Sequence, residues 1–173
     1  MTTNSLLERR TAVVIALLAT AWCALAISPP LLQAAGHDAT AVLTRLVFDT
    51  VCHQLPARAI HIEGNPMAVC ARCAGIYSGL ALGCWAQLLR RRGQPEGHSP
   101  LLIAAAIVLI EWSAEVFGMI DGPIAMEARA VSGTLFGLTA SRYFVPAAIC
   151  MIVDLSEMLA RRARRSESHA EAG

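Results

Sequence analysis

The sequence predicts an all-α integral membrane protein: a four-span transmembrane helical bundle with a short amphipathic helix in the first outer loop. Three observations carry this expectation. Apolar residues make up 55% of the 173 positions and charged residues only 16%, against about 45–50% and 25% in soluble domains. The mean hydropathy is +0.52. Finally, all 14 basic residues are arginine, and nine of them fall in three clusters at the ends of apolar stretches. With 13 acidic residues the net charge is +1. No basic stripe is offered to a nucleic acid, so none is expected as a partner. The high hydrophobicity excludes a disordered chain, and six cysteines are too few for a disulfide scaffold.

A span needs about 20 mostly apolar residues at about 1.5 Å each. Four stretches qualify: residues 11–27, closing at Ser28-Pro29-Pro30; 67–89, ending in Arg90-Arg91-Arg92; 101–120, between Pro100 and the Asp121-Gly122-Pro123 turn; and 130–153, leading to Arg161-Arg162-Ala163-Arg164-Arg165. Residues 11–160 form one membrane domain, with 1–10 as a cytoplasmic N-terminus and 161–173 as a basic, then disordered, tail. Glu8-Arg9-Arg10 before the first stretch and Ala24-Leu25-Ala26 within it also fit a secretory signal with an A-x-A site. We read the segment as an uncleaved span. Trp22 before Cys23 argues against a lipoprotein cysteine.

With four spans, the three arginine clusters fall on one side, which the positive-inside rule makes cytoplasmic. The expected location is the inner (plasma) membrane, with both termini inside. Residues 28–66 then form a long outer loop. Within it Ala41, Val42, Leu43, Leu46, Val47 and Phe48 alternate with Thr44, Arg45 and Asp49 in a helical period. This predicts an amphipathic helix, lying at the interface or packed on the bundle.

Gly75, Gly79 and Gly83 share one helix face in the second span, as do Gly133 and Gly137 in the fourth. Small residues at this spacing let helix backbones approach. The faces can meet each other or a second copy of the chain, so a homo-oligomer is one expected partner besides the bilayer. Ionisable groups inside the membrane must pair. Glu111 and Glu115 sit at i, i+4 in the third span. Arg129, with Glu127 nearby, lies near the outer end of the fourth, and Arg142 lies mid-way through it. The expected pairs are Glu115–Arg129 and Glu111–Arg142, holding the hairpin together or lining an ion path.

Cys23, Cys84 and Cys150 lie within spans and read as small buried hydrophobes. The other three cluster in sequence as Cys52-His53, sixteen residues, then Cys70-Ala71-Arg72-Cys73. A C-x2-C pair at a helix start can bite a metal, Cys52 adds a third sulfur, and His53 or His61 can complete the Cys3His set that zinc uses. Gln54, Arg58 and Arg72 stand beside the site as groups that support the ligands or contact an anion. C-x2-C is equally a redox dithiol, and disulfides persist outside the cytoplasm. A thiol–disulfide oxidoreductase is therefore the alternative, and a small transporter or channel using the Glu/Arg charges is a third. Ala74 in place of histidine after Cys73 excludes c-type haem attachment.

Cys52-His53-Gln54-Leu55-Pro56-Ala57-Arg58, followed by Val69-Cys70-Ala71-Arg72-Cys73-Ala74-Gly75-Ile76-Tyr77-Ser78-Gly79, resembles the signature of a family of prokaryotic membrane proteins known as domain of unknown function 2085. The resemblance runs from about residue 47 to 144. Ala57, Ala59 and Ala74 stand where the family usually has Glu, Ser and Thr, which leaves every sulfur in place. The resemblance implies that His53, inside the signature, matters more than His61. It implies no activity.

Overall fold

The computed structural model describes residues 3–89 and 97–171, with the side chains of 6–89, 97–159 and 161–162. Five α-helices and one two-stranded sheet follow in order: α1 (Thr3–Ala34), α2 (Asp38–Asp49), β1 (Ala59–Ile62), β2 (Asn65–Cys70), α3 (Ala71–Leu89), α4 (Ser99–Val116) and α5 (Gly122–Glu171). Three of these helices are long and apolar enough to cross a membrane: residues Leu6–Ala34 of α1, Ser99–Val116 of α4 and Gly122–Leu159 of α5. The fourth expected span, α3, is not among them. Its Gly75, Ser78, Gly79, Gly83, Gln87 and Arg72 dilute the Leu, Ile and Cys.

Several boundaries move, each for a local reason. Ser28-Pro29-Pro30 does not close the first helix, because both prolines lie buried inside α1. A proline at 29 removes the N–H that would bond the Leu25 carbonyl. The Ser28 hydroxyl donates to that carbonyl instead, at 2.9 Å, a replacement often found in membrane helices. The third span stops at Val116 rather than residue 120. Gly118 takes φ 67, and the amides of Gly118 and Met119 donate to the carbonyls of Glu115 and Ala114 at 3.0 and 2.8 Å, a Schellman closure. At the other end α5 continues as helix to Glu171, through the segment expected to be disordered. The run 161–165 supplies Arg and Ala and the segment after it Glu and Ala, which are strong helix formers. Arg90, Arg91 and Arg92 lie outside the described residues.

The small sheet departs from the all-α expectation. β1 and β2 are antiparallel, with Ile62 opposite Asn65 and His61 opposite Pro66. Only Glu63 and Gly64 connect them, at φ 51 and 80, the double left-handed step of a type I′ turn. Residues 67–70 therefore belong to a strand, and α3 starts at Ala71. The expected amphipathic helix is present as α2, which turns Ala41, Thr44 and Phe48 inward and leaves Val42, Leu43, Leu46 and Val47 exposed.

Two cores mark the ends of the bundle. Ala12 and Ala16 of α1, Cys84 of α3 and Val145 and Ile149 of α5 form one. Ala26, Phe48, Cys52, Ala68 and Val69 form the other. Arg9 and Arg10, the end of α3 and the Arg161-Arg162 pair all fall at the first end, and α2 and the hairpin cover the second. Between them α3 and α5 run parallel. A Cβ on Gly75 would strike the Ala130 carbonyl, one on Gly79 the Thr134 carbonyl, and one on Gly83 the Ser141 side chain. From the other side Gly133 and Gly137 meet the backbones of Arg72 and Ile76. The glycine faces pack on each other within one chain, so a second copy would need a different surface.

Replacing Gly79 or Gly137 with valine is expected to lower stability by roughly 1–3 kcal/mol or more through overpacking, read as a fall in the unfolding midpoint in detergent. An unchanged midpoint would show that the two helices can separate freely.

Candidate metal centre

Three elements bring the cysteines together. Cys52 follows α2 and is buried at 5% exposure; Cys70 ends β2; Cys73 lies in the first turn of α3. Their sulfurs all lie within 4.8 Å of one another. The I′ turn and the strand pairing fold the chain back, so that residues 18 and 21 positions after Cys52 return to it. The Cys70 backbone N–H donates to the Cys52 sulfur at 3.2 Å. A hydrogen bond from the Cys73 thiol holds the Cys70 thiol well below its ordinary range, against partial burial and with help from Cys52 and the Cys73 and Arg72 backbones. A thiolate is the form in which sulfur binds metals and reacts. About 2.3 Å from each sulfur to zinc in a tetrahedron sets the sulfurs roughly 3.8 Å apart, so closure by at most about 1 Å suits the trio to such an ion.

Neither histidine joins them. His53 is exposed, and among the described residues the converging donors are Cys52, Cys70 and Cys73. The chain turns sharply after His53, at Gln54 with φ 48. The Gln54 amide donates to the Arg45 carbonyl at 2.6 Å and so anchors α2 rather than touching sulfur. Arg45 in turn donates to the Pro66 carbonyl at 2.6 Å, tying α2 to the hairpin. His61 is exposed on β1, with Nδ1 3.0 Å from its own strand's Ala59 carbonyl.

Arg72, between the paired cysteines, points away from them into the bundle. Its Nη2 reaches both Glu111 oxygens at 2.8 and 3.0 Å, and its Nε lies 3.1 Å from Oε2. Ser132 donates to the same carboxylate at 3.2 Å. Glu115 is held by Arg129 through Nε at 2.9 Å and Nη2 at 2.8 Å, by Arg58 at 2.8 Å and by Arg72 at 3.6 Å. The Glu115–Arg129 pair is as expected, but the Glu111–Arg142 pair is not. Helix rise explains the difference. Glu111 lies six residues, about 9 Å, before Phe117, whereas Arg142 lies twenty residues, about 30 Å, beyond Gly122. Arg142 is exposed, and its neighbour Tyr143 donates to the Gly97 carbonyl at 2.9 Å, at the opposite end of α4 from the glutamates.

Sequence reasoning therefore placed Arg58 and Arg72 near the sulfurs but missed their carboxylate partners, and it missed Ser132. A signal existed. Arg72 is a charge at the start of an expected span, and such a charge needs a partner.

Removing one member of a buried charge pair leaves the other unpaired, at roughly 3–5 kcal/mol. Arg129→Ala and Glu111→Ala are expected to destabilise on that scale, and Arg142→Ala much less, as measured by unfolding in detergent. Equal losses for Arg129→Ala and Arg142→Ala would contradict the pairing.

Residues 52–143 match the model of a family described as predicted membrane protein, domain of unknown function 2085. An uncharacterized protein of Methanocaldococcus jannaschii is 31% identical over 104 residues, a stretch that covers 58% of this chain. The chain spans 65% of that relative's length. No solved structure matches. The family match takes in all three clustered cysteines and both glutamates, and the chain belongs to this family of membrane proteins, domain of unknown function 2085.

Proposed function

We propose that the protein crosses the membrane four times and holds a zinc-like metal ion at its outer face, with Cys52, Cys70 and Cys73 as ligands. The convergence of three sulfurs from three separate elements within 4.8 Å carries this reading. Such an ion fastens the segment after α2 to the start of α3, and a structural ion contributes directly to folding.

The fourth crossing is assigned to α3. At 19 residues it is about 28 Å long, close to the roughly 30 Å hydrocarbon core. Its low apolar content has a cause: the glycine face meets α5 rather than lipid. The gathering of Arg9, Arg10 and the Arg161-Arg162 pair at one end supports a cytoplasmic location for that end. The hairpin and cysteines then face outward.

The second reading is a thiol–disulfide oxidoreductase. The lowered Cys70 thiol, bonded to Cys73, favours it, because a reactive dithiol needs a stabilised thiolate. The ion-path reading has less support, since each glutamate is bound by at least one arginine.

Metal analysis of detergent-purified protein separates the two leading readings. Zinc at stoichiometric level, lost in Cys70→Ser and Cys52→Ser, is the expected result. Metal-free protein whose Cys70 and Cys73 cycle between dithiol and disulfide would falsify the metal reading and favour the oxidoreductase.

A further inference from the structure

We propose that the cysteine site is redox-controlled: a disulfide between Cys70 and Cys73 displaces the ion and unfastens Cys52, with the end of α2, from α3. The proposal rests on the metal reading of the same three cysteines and names its regulation. Three observations lead to it.

The first is the donor count. Three sulfurs converge within 4.8 Å, and among the described residues no histidine or carboxylate joins them. Sulfur binds a metal as the thiolate, so a disulfide between any two of the three leaves the ion a single protein ligand. A set of four cysteines would keep two. The second is access. Cys52 is buried at 5% exposure, whereas Cys70 and Cys73 are only half-buried, so an oxidant from the outer face meets the C-x2-C pair first. The Cys73 thiol already donates a hydrogen bond to Cys70, while the Cys52 sulfur accepts the Cys70 backbone N–H. The third is connectivity. Cys70 ends β2 and Cys73 lies in the first turn of α3, two elements that follow each other directly in the chain. A disulfide between them joins no distant segments. The ion, in contrast, ties both to Cys52, 18 and 21 positions earlier. Without the ion, the segment after α2 is left with the packing of Phe48 and Cys52 and the hydrogen bonds of Arg45 and Gln54.

The oxidant is a small disulfide, a class of molecule that persists outside the cytoplasm. The Cys70 sulfur attacks one of its sulfurs, the external S–S bond breaks, and one thiolate leaves. The Cys73 sulfur then attacks Cys70, the mixed S–S bond breaks, and the second thiolate leaves. Two electrons pass from the Cys70–Cys73 pair to the external disulfide, and each leaving thiolate takes a proton from water. Cys52, alone with the ion, takes a proton as well, and the ion departs hydrated. External thiols reverse the exchange and restore the three ligands.

The test uses the full chain in detergent, reduced and loaded with zinc without oxygen, then titrated with oxidised glutathione. A chromogenic chelator reads released zinc, and mass spectrometry after alkylation of the denatured chain reads which sulfurs have paired. The expected result is loss of the bound zinc in step with a Cys70–Cys73 disulfide, with Cys52 alkylated as a free thiol, and rebinding of zinc after reduction. The unfolding midpoint is expected to fall on oxidation, although a covalent bond is gained. Zinc retained beside the disulfide would overturn the displacement. A disulfide that includes Cys52, or a midpoint that holds or rises, would overturn the unfastening. Cysteines that stay reduced at every oxidant concentration would overturn the switch as a whole. A reduced chain that takes up no zinc is a different result: it removes the metal reading itself, and this proposal with it.

Discussion

The backbone contact between α3 and α5 is the constraint on which the cysteine-bearing end of the molecule depends. Five glycines line the crossing; at Gly75, Gly79, Gly133 and Gly137 the two helices meet backbone against Cα, and Gly83 makes room for the Ser141 side chain. In lipid, where apolar side chains gain little by leaving their surroundings, such close packing is a principal source of helix association. Its consequences reach beyond stability. Because Gly133 abuts the Arg72 backbone, the start of α3 is fixed against α5 about three turns into that helix. That contact sets Arg72 beside Glu111 and Ser132, and it fixes the platform from which Cys70 and Cys73 meet Cys52.

The charge network follows from that placement. Two carboxylates at i, i+4 on α4 present one face to α3 and α5, and three guanidinium groups arrive from the turn before β1, from α3 and from α5. Forked arginine–carboxylate geometry gives each buried oxygen a partner, and no buried side-chain N or O among the described residues lacks one. Such an arrangement is expected where water is scarce, because an unpaired ion there is costly. Arg72 belongs to both the network and the cysteine segment, so the cysteine cluster and the ion pairs form one continuous construction.

Much of this was legible in the residues, and the parts that were not have specific causes. The Glu115–Arg129 pair could be read because both residues lie close to the turn joining α4 and α5, where a depth error of one turn matters little. The expected Glu111–Arg142 pair does not form because the two residues lie at different depths along their helices: at about 1.5 Å per residue the mismatch reaches about 20 Å. The hairpin escaped notice because Ile60-His61-Ile62 and Met67-Ala68-Val69 are short, and Glu63-Gly64 is a weaker turn signal than Asn-Gly. The buried prolines of α1 escaped because Ser28 replaces the lost hydrogen bond, a substitution visible only once the helix is formed.

The sequence by itself determined the membrane class, the clustering of arginines, the glycine spacing and the identity of the sulfur donors. Each of these is a property of composition or of a local period, and local rules suffice for them. Only the tertiary structure decided which groups meet. The glycine faces are satisfied within one chain, Arg72 turns to Glu111 rather than to an anion, and the histidine expected to complete the cysteine set stands exposed outside it. Such choices depend on helix register, on a two-residue turn and on one left-handed residue at Gln54. A shift of one residue in any of them rotates or translates a side chain by several ångströms, more than the reach of a hydrogen bond or a metal–ligand bond.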